Sequence, residues 1–227
     1  MATTLETGYQ IHSKPAIAPF RTRITGQFIV IEPISTAHTD DLWSSVGGPE
    51  NASLWTYMPD GPFDSKASFG IYVEAMVASQ DPVTYALIDP ISQKAVGHLS
   101  LLRIDLKNCV VEIGNIMFSP TLQRSIPATE ALYLMAKMVF EDLGFRRYEW
   151  KCNNLNVPSK NAAARLGFTF EGIFRQHMIV KGRNRDTAWF SIIDSEWRMI
   201  KSAFERWLDP LNFDAQGRQL QSLASFR

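Results

Sequence analysis

The sequence lacks an excess of charge of either sign. Its 227 residues contain 23 lysines and arginines against 23 aspartates and glutamates. A protein that follows nucleic acid along its phosphates usually carries a clear cationic excess, so we expect no nucleic-acid partner. The length is near the upper size of a single domain and is sufficient to bury a full hydrophobic core.

Long apolar runs are also lacking, although apolar residues make up 45% of the chain. The run Phe-Ile-Val-Ile at residues 28–31 is far shorter than the roughly 20 residues of a membrane-spanning helix. The N-terminal residues 1–20 lack the apolar centre of a secretory signal. The only cysteines, Cys109 and Cys152, fall in predicted strands, which favours buried free thiols in a reducing compartment. We therefore expect a cytoplasmic protein without a membrane partner.

Several catalytic signatures are absent as well. No G-x-x-x-x-G-K-[ST] loop occurs, which disfavours a nucleoside triphosphatase, and no G-x-S-x-G elbow occurs, which disfavours a serine hydrolase. His98 and His177 have no cysteine or carboxylate partner at ligand spacing. We therefore expect no metal site.

The first half of the chain contains strand and helix patterns around one irregular segment. Alternating β-branched and aromatic residues predict strands, and apolar residues at helical spacing predict helices. The strands are predicted at residues 28–31, 83–89, 95–105 and 109–118, and the helices at residues 35–46 and 65–80. Residues 49–64 are aperiodic and aromatic, which is typical of a loop that packs as a lid or binds a ligand.

The second half of the chain is more informative. A strand with one carboxylate (110–118) is followed by a turn without glycine, a helix (127–142), a strand (146–152) and a helix (156–166). Two strands, at residues 168–180 and 187–194, flank a predicted hairpin turn at residues 181–184. A last helix is predicted over residues 195–208, with its apolar residues on one face.

Short motifs accompany this order of elements. They are Ala128-Thr129-Glu130-Ala131, Arg146-Arg147, Asn156 with Ser159, Arg165-Leu166-Gly167-Phe168, Glu171-Gly172 with Arg175, Arg185-Asp186 and Glu196-Trp197. From about residue 28 to residue 197 the chain closely resembles the GNAT superfamily of acyl-CoA-dependent N-acyltransferases, and within it the RimJ/RimL-type branch.

The resemblance implies an α/β (α+β) fold. The GNAT fold has a mixed, largely antiparallel, twisted central sheet of about seven strands, with helices on both faces. The acyltransferase domain is expected at residues 21–195, after an N-terminal extension at residues 1–20. A C-terminal helix and tail at residues 196–227 are expected to pack on this domain.

The resemblance also implies a site for acetyl-CoA as co-substrate. In this fold two parallel strands, here residues 110–118 and 146–152, diverge and leave backbone groups free to bind the pantetheine arm. The N-terminus of the helix near Pro127 directs N–H groups and its positive dipole end at the pyrophosphate. The predicted cofactor-binding residues are Met117, Phe118, Gln123, Arg124, Ser125, Ile126, Ala128, Thr129, Asn153, Asn156 and Ser159.

The turn before that helix departs from the family pattern. The superfamily usually places glycines there, whereas this chain has Gln123-Arg124-Ser125-Ile126-Pro127, and proline lacks an N–H donor. We expect Arg124 and the hydroxyls of Ser125 and Thr129 to supply part of the anion binding. The alternative is a degenerate cofactor site.

Acyl transfer to an amine needs a base, a donor for the oxyanion and a proton for the leaving thiolate. Glu112, the sole acid of residues 110–118, is the predicted base, with a structural hydrogen-bonding role as the alternative. The resemblance implies an oxyanion donor among the backbone N–H groups near Met117 or Phe118. It also makes Ser159 the predicted acid, unless Ser159 only caps its helix.

A set of aromatic and histidine side chains is predicted to bind the acceptor. They are Trp55, Tyr57, Trp150 and His177. The plainer alternative is that the loop aromatics anchor the loop to the core and that the histidine is structural. Arg175, Arg183 and Arg185 either meet an acidic acceptor or lie in solvent or salt bridges, and the second reading is favoured for most of them.

The leading hypothesis is an acetyl-CoA-dependent N-acetyltransferase. It transfers the acetyl group directly, in a ternary complex, to a primary amine, with a small molecule favoured over a protein N-terminus. The alternative is a non-catalytic acyl-CoA-binding or sensor protein, which the glycine-free turn and the lack of a tyrosine at residues 156–166 keep open. The protein is expected to be a monomer or a homodimer.

Overall fold

The computed structural model describes residues 8–11 and 15–227. Within these residues the strands are β1 (Ile24–Thr25), β2 (Val30–Pro33), β3 (Val83–Ile88), β4 (Ala95–Asp105), β5 (Val110–Phe118), β6 (Arg147–Asn153), β7 (Thr169–Val180) and β8 (Arg183–Ile193). The helices are α1 (Thr39–Val46), α2 (Lys66–Ala78), α3 (Ile126–Lys137), α4 (Val157–Leu166) and α5 (Asp194–Leu208). Much of the predicted N-terminal extension, residues 1–7 and 12–14, lies outside the described residues.

The described strands form one sheet in the order β1-β2-β3-β4-β5-β6-β8-β7. Every neighbouring pair is antiparallel except β5 and β6, which are parallel. The predicted mixed, largely antiparallel sheet is confirmed. It has eight strands rather than about seven because β1, two residues long, pairs with β2 through Ile24 and Ile31. A strand of two residues is too short to show the alternation of apolar and polar residues by which strands are recognised in a sequence.

Helices cover both faces of the sheet, as predicted. Successive side chains of a strand point to opposite faces, so alternate residues enter different cores. On one face Val111 and Ile113 pack with residues of α3 and α5 such as Met135 and Phe204. On the other face Val30, Ala86 and Ile88 pack with buried residues of α1 and α2, among them Leu42, Phe69 and Val73. No described helix has the length and apolar character that crossing a membrane requires.

The β7–β8 hairpin is tighter than the sequence predicted. Lys181 and Gly182 form its two-residue turn with φ angles of 50° and 70°. Positive φ at both positions is the mark of a turn whose twist matches the flanking strands. The second strand therefore begins at Arg183, and its predicted start at residue 187 was four residues late.

The C-terminal tail packs against α4 and α5. Leu223 is buried, and Asn212 donates to the Trp207 carbonyl at 3.0 Å. The Arg227 guanidinium donates to the Ala164 and Arg165 carbonyls at 3.2 and 3.1 Å, where α4 ends. The tail therefore satisfies backbone acceptors that a helix C-terminus leaves free.

A buried carboxylate joins α3 to the first two strands. Glu130 is 5% exposed, and its two oxygens accept hydrogen bonds from the backbone N–H groups of Gln27, Phe28 and Ile29 at 2.7, 2.6 and 3.0 Å. Hydrogen bonds to an ionised group are about twice as strong as neutral ones. Glu130 thus fixes the β1–β2 turn against the helix whose N-terminus faces the site described below.

We expect Glu130→Ala to lower the free energy of unfolding by about 3 kcal/mol, because it leaves three N–H donors without an acceptor. Chemical denaturation measures this change. The matched control is Glu74→Ala on the exposed face of α2, which should change stability by no more than about 0.5 kcal/mol. Equal effects of the two substitutions would contradict this role of Glu130.

Candidate active site

The parallel strands β5 and β6 separate along their length. They pair from Val110 and Arg147 to Ile113 and Trp150, and no pairing between them follows, although β5 continues to Phe118 and β6 to Asn153. A bulge accompanies the separation, because β5 uses one more residue than β4 between the pairs Gly114–Ser100 and Met117–His98. Asn115, inside the bulge, has a φ of 48°. The bulge turns β5 away from β6 and opens a slot.

A cavity of about 950 Å³ lies at this slot and continues past the N-termini of α3 and α4. Its walls include every predicted cofactor-binding residue except Asn153. The side-chain oxygen of Asn153 instead accepts a hydrogen bond from the Leu155 N–H at 2.9 Å, within the turn before α4. The structure therefore brings the predicted residues of β5, the glycine-free turn and α4 to one place.

The glycine-free turn positions the N-terminus of α3. Ser125 is the N-cap, and its hydroxyl accepts from the Ala128 N–H at 3.2 Å and donates to the Leu122 carbonyl at 2.6 Å. Arg124 takes the left-handed conformation, with φ of 58°, which a glycine would adopt at less cost. The N–H groups of Arg124 and Ile126 donate to no group in the described part of the chain, so they are available to an anion.

A second cation of the cavity comes from α4. Arg165 donates from Nη1 to the Thr129 hydroxyl at 3.2 Å, and its guanidinium lies over the Trp207 ring at 5.0 Å. Burial, aided by the charge of Arg227, lowers the pKa of Arg165. Arg124 and Arg165 therefore both line the cavity beside the N-terminus of α3.

Several residues that line the cavity were not predicted from the sequence. Among them are Leu54, Arg165, Trp207 and the tail residues Phe213, Gly217, Arg218 and Gln219. Arg165 is a basic residue in the last turn of a predicted helix. That position predicts a favourable interaction with the negative end of the helix dipole, and it does not predict a ligand site. The other residues reach the cavity through tertiary packing, which no local spacing reveals.

Ser159 lies in the cavity beside Trp150. Its hydroxyl accepts from Trp150 Nε1 at 3.0 Å, and its N–H donates to Asn156 Oδ1 at 3.1 Å. Asn156 is therefore the N-cap of α4, which corrects the alternative that Ser159 has this role. Trp150, predicted to bind the acceptor, lines the same cavity as the predicted cofactor-binding residues.

Glu112 lies on the opposite face of the sheet from Ile113 and is not among the residues that line the cavity. Its side chain is 7% exposed, and Oε2 lies 3.1 Å from Lys151 Nζ and 3.0 Å from Arg103 Nε. Both cations are therefore within ion-pair distance of this oxygen. Burial raises the pKa of Glu112, and the charges of Lys151 and Arg103 oppose that shift without cancelling it.

The predicted acceptor residues do not form one group. Trp55 is fully buried, and its Nε1 donates to the Val46 carbonyl at 2.8 Å, so the prediction that it lines a pocket is corrected. Tyr57 is 37% exposed and donates to the Leu155 carbonyl at 3.2 Å. His177 lies on the Glu112 side, with Nδ1 3.0 Å from the Thr187 hydroxyl. Burial, with the charges of Arg103, Arg185 and Lys151, lowers the pKa of His177.

Metal ligation was not expected from the sequence. Among residues 8–11 and 15–227 no group of three or more His, Cys, Asp or Glu side chains is arranged to hold a metal ion. Cys109 and Cys152 are both free and buried.

Comparison with known proteins defines the family. The family model described as "Acetyltransferase (GNAT) domain" matches residues 29–169, more than half of the chain. The chain therefore belongs to the GNAT acetyltransferases and is an acetyltransferase enzyme. Enzymes of this family use acetyl-CoA. A search of curated proteins gave no match.

Solved structures agree with this assignment. A GCN5-related N-acetyltransferase from Brucella melitensis is 44% identical, with a TM-score of 0.92 over 95% of this chain and 98% of that chain. A GNAT-family protein from Chromobacterium violaceum is 35% identical, with a TM-score of 0.79 over 87% of this chain and 99% of that one. The microcin C7 self immunity acetyltransferase MccE, solved with acetyl-CoA and AMP, is 20% identical with a TM-score of 0.65 over 74% and 93% of the two chains, and shares the fold.

The raised pKa of Glu112 gives a pH dependence of stability. A carboxyl whose folded pKa lies above its unfolded value stabilises the fold while both states are protonated, and loses that contribution as pH rises through the folded pKa. Glu112→Gln cannot ionise, so we expect its stability relative to the wild type to increase from about pH 4 to about pH 7. Urea denaturation across this range measures the trend.

The exposed Glu74→Gln variant is the control, and its stability relative to the wild type should not follow the same trend. A relative loss of stability by Glu112→Gln with rising pH would show instead that the cations lower the carboxyl's pKa below its ordinary value.

Proposed function

We propose that the chain is an acetyl-CoA-dependent N-acetyltransferase of the RimJ/RimL type, which transfers the acetyl group directly to a primary amine of a small molecule. The observation that carries this proposal is the separation of β5 from β6. It opens the sheet between a cavity lined by three arginines on one face and a buried carboxylate on the other. A donor and an acceptor that enter from opposite faces would meet in such an opening.

The cavity suits a long ligand with phosphates at one end. Backbone groups of β5 beyond Ile113 have no partner on β6 and are free to bind an amide-bearing arm as a further strand would. Arg124, Arg165 and the free N–H groups at the start of α3 would hold the phosphates. When bound, acetyl-CoA supplies an activated acetyl thioester. The complex of MccE with acetyl-CoA supports this placement by analogy of fold.

Ser159 would protonate or hydrogen-bond the departing thiolate. Because its oxygen accepts from Trp150 Nε1, its own proton is left for donation to a sulfur, either that of Cys152 or that of the thiolate. The backbone N–H groups around the bulge at residues 115–117 are the proposed donors to the oxyanion.

Glu112 would take the proton of the acceptor amine through water. A neutral amine is the nucleophile, and a base is most effective when its pKa approaches the working pH. Burial shifts the pKa of Glu112 in that direction. The two cations at Oε2 hold the carboxylate in place.

Three features support a small acceptor in the cytoplasm. The chain has no overall cationic excess for a ribosomal or nucleic-acid surface, and both cysteines are free thiols, which suits a reducing compartment. Tyr57, partly exposed, offers an aromatic surface next to the turn before α4. The proposed acceptor is therefore a small molecule that binds within the opening, and not a protein that docks on the surface.

We expect Glu112→Gln to lower kcat/KM at least about 100-fold while the Kd for acetyl-CoA stays unchanged, since the variant lacks the base but keeps the cavity. Thiol release from acetyl-CoA against a panel of primary amines measures activity, and calorimetry measures binding. Glu74→Gln is the control. Activity within threefold of the wild type would exclude Glu112 as the base, and wild-type binding without thiol release for any amine would exclude transfer.

We expect Arg165→Ala to raise the Kd for CoA about tenfold, because a charge-assisted hydrogen bond to phosphate contributes about 1.5–3 kcal/mol. Calorimetric titration with CoA measures the change. Arg198→Ala, on the exposed side of α5, is the matched control and should bind like the wild type. An unchanged Kd for Arg165→Ala would place the phosphates elsewhere.

A further inference from the structure

A network of ions lies on the sheet face that carries Glu112. It contains four cations and three acids, which are Arg103, Arg147, Lys151, Arg185, Glu112, Glu149 and Glu171. Most are in direct pairs. Lys151 Nζ lies 2.6 Å from Glu149 and 3.1 Å from Glu112, and Arg147 Nε lies 2.7 Å from Glu149. In such a network each buried charge offsets the cost of burying its neighbour.

Arg185 is the exception. Within the described part of the chain its guanidinium forms no ion pair, and its one hydrogen bond runs from Nε to the Thr187 hydroxyl at 3.2 Å. The residue is half-buried, and burial lowers its pKa despite the charge of Glu112 nearby. A half-buried cation with two free NH2 groups carries a desolvation cost that the nearby charge of Glu112 offsets only in part.

The position of Arg185 is next to the opening. Its neighbour Thr187 is paired across the strands with Asn153, the last residue of β6, at the end where β6 no longer contacts β5. The Thr187 hydroxyl also lies 3.0 Å from His177 Nδ1, so Arg185 and His177 share one hydroxyl. The charges of Arg103, Arg185 and Lys151 join burial in lowering the pKa of His177, so three cations lie near this point.

An aromatic surface adjoins the same point. Phe174 is 52% exposed, and its ring centroid lies 4.5 Å from that of Trp189 and 5.5 Å from that of His177. Lys151 Nζ lies over the Trp189 ring at 3.7 Å, so this surface continues to the Glu112 pair. An apolar group could rest on Phe174 while a polar end reaches Arg185.

We propose that the acceptor amine carries an anionic group, a carboxylate or a phosphate, and that Arg185 binds this group on the Glu112 side of the opening. A planar guanidinium with both NH2 groups free matches the two oxygens of such a group. The anion would offset the unpaired charge of Arg185 and hold the amine near Glu112. The claim that the bound amine is a substrate rests on the proposed transfer reaction. The claim that Arg185 binds its anionic group does not.

The test is equilibrium binding to the protein saturated with CoA, which supports no turnover. Calorimetry compares L-tyrosine with tyramine, for a carboxylate, and O-phosphoethanolamine with ethanolamine, for a phosphate. Each pair differs by the anionic group and keeps the amine. We expect the wild type to bind the anionic member of at least one pair tenfold or more tightly, and the pair that shows this identifies the anion.

Arg185→Gln should reduce this preference to within twofold. Arg183→Gln, an exposed arginine in the same strand, is the matched control and should keep the preference. Arg185→Lys retains the charge without the planar guanidinium and should keep part of the preference. This variant replaces Arg185→Gln in the test if the glutamine variant does not fold.

The proposal is overturned if the wild type binds neither anionic compound more tightly than its partner without the anionic group, or if the preference survives Arg185→Gln. Thiol release is measured separately on the same compounds. Its absence with every amine would refute transfer and leave the binding result intact, so failure of the two proposals can be told apart.

Discussion

The short contact between β5 and β6 is the constraint on which the site depends. Only the pairs from Val110–Arg147 to Ile113–Trp150 hold the two strands together. The extra residue in β5 then prevents further pairing, and the backbone groups that would have formed a ladder are left to bind something else. The Glu130 carboxylate and the cap at Ser125 fix α3 above this gap, so the opening has rigid edges.

The two sides of the opening are chemically different. On one side the walls are the start of α3, the start of α4 and the C-terminal tail, and their charges are cationic. On the other side, acids and bases are interleaved on neighbouring strands, as Glu112 and Glu149 are beside Lys151. This division suits a reaction in which a phosphate-bearing donor binds on one side of the opening and an amine binds on the other.

Local patterns in the sequence predicted most of the fold, and the resemblance to the GNAT superfamily predicted a set of residues that the structure brings to one cavity. Residues of β5, the turn and α4 are close in sequence to recognisable strand and helix signals, and they line one cavity. The four residues predicted to bind the acceptor are not brought together. Trp55 looked like a pocket residue by composition but is enclosed by α1, α2 and its own loop, and Arg185 is half-buried whereas Arg183 is exposed. Burial and ion pairing across strands depend on tertiary register, which a single sequence does not display.

The arginine in the turn before α3 bears on how dissolved salt affects ligand binding in the cavity. A turn built on glycine binds phosphate through short, fixed backbone dipoles that mobile ions hardly weaken. In this chain Arg124 accepts an unfavourable backbone angle and contributes a full charge on a flexible side chain. Attraction between full charges near solvent decays over a Debye length of about 8 Å at physiological ionic strength. With Arg124 in its proposed role at the phosphates, binding of the ligand would depend on the salt concentration of the medium more strongly than binding to a glycine turn.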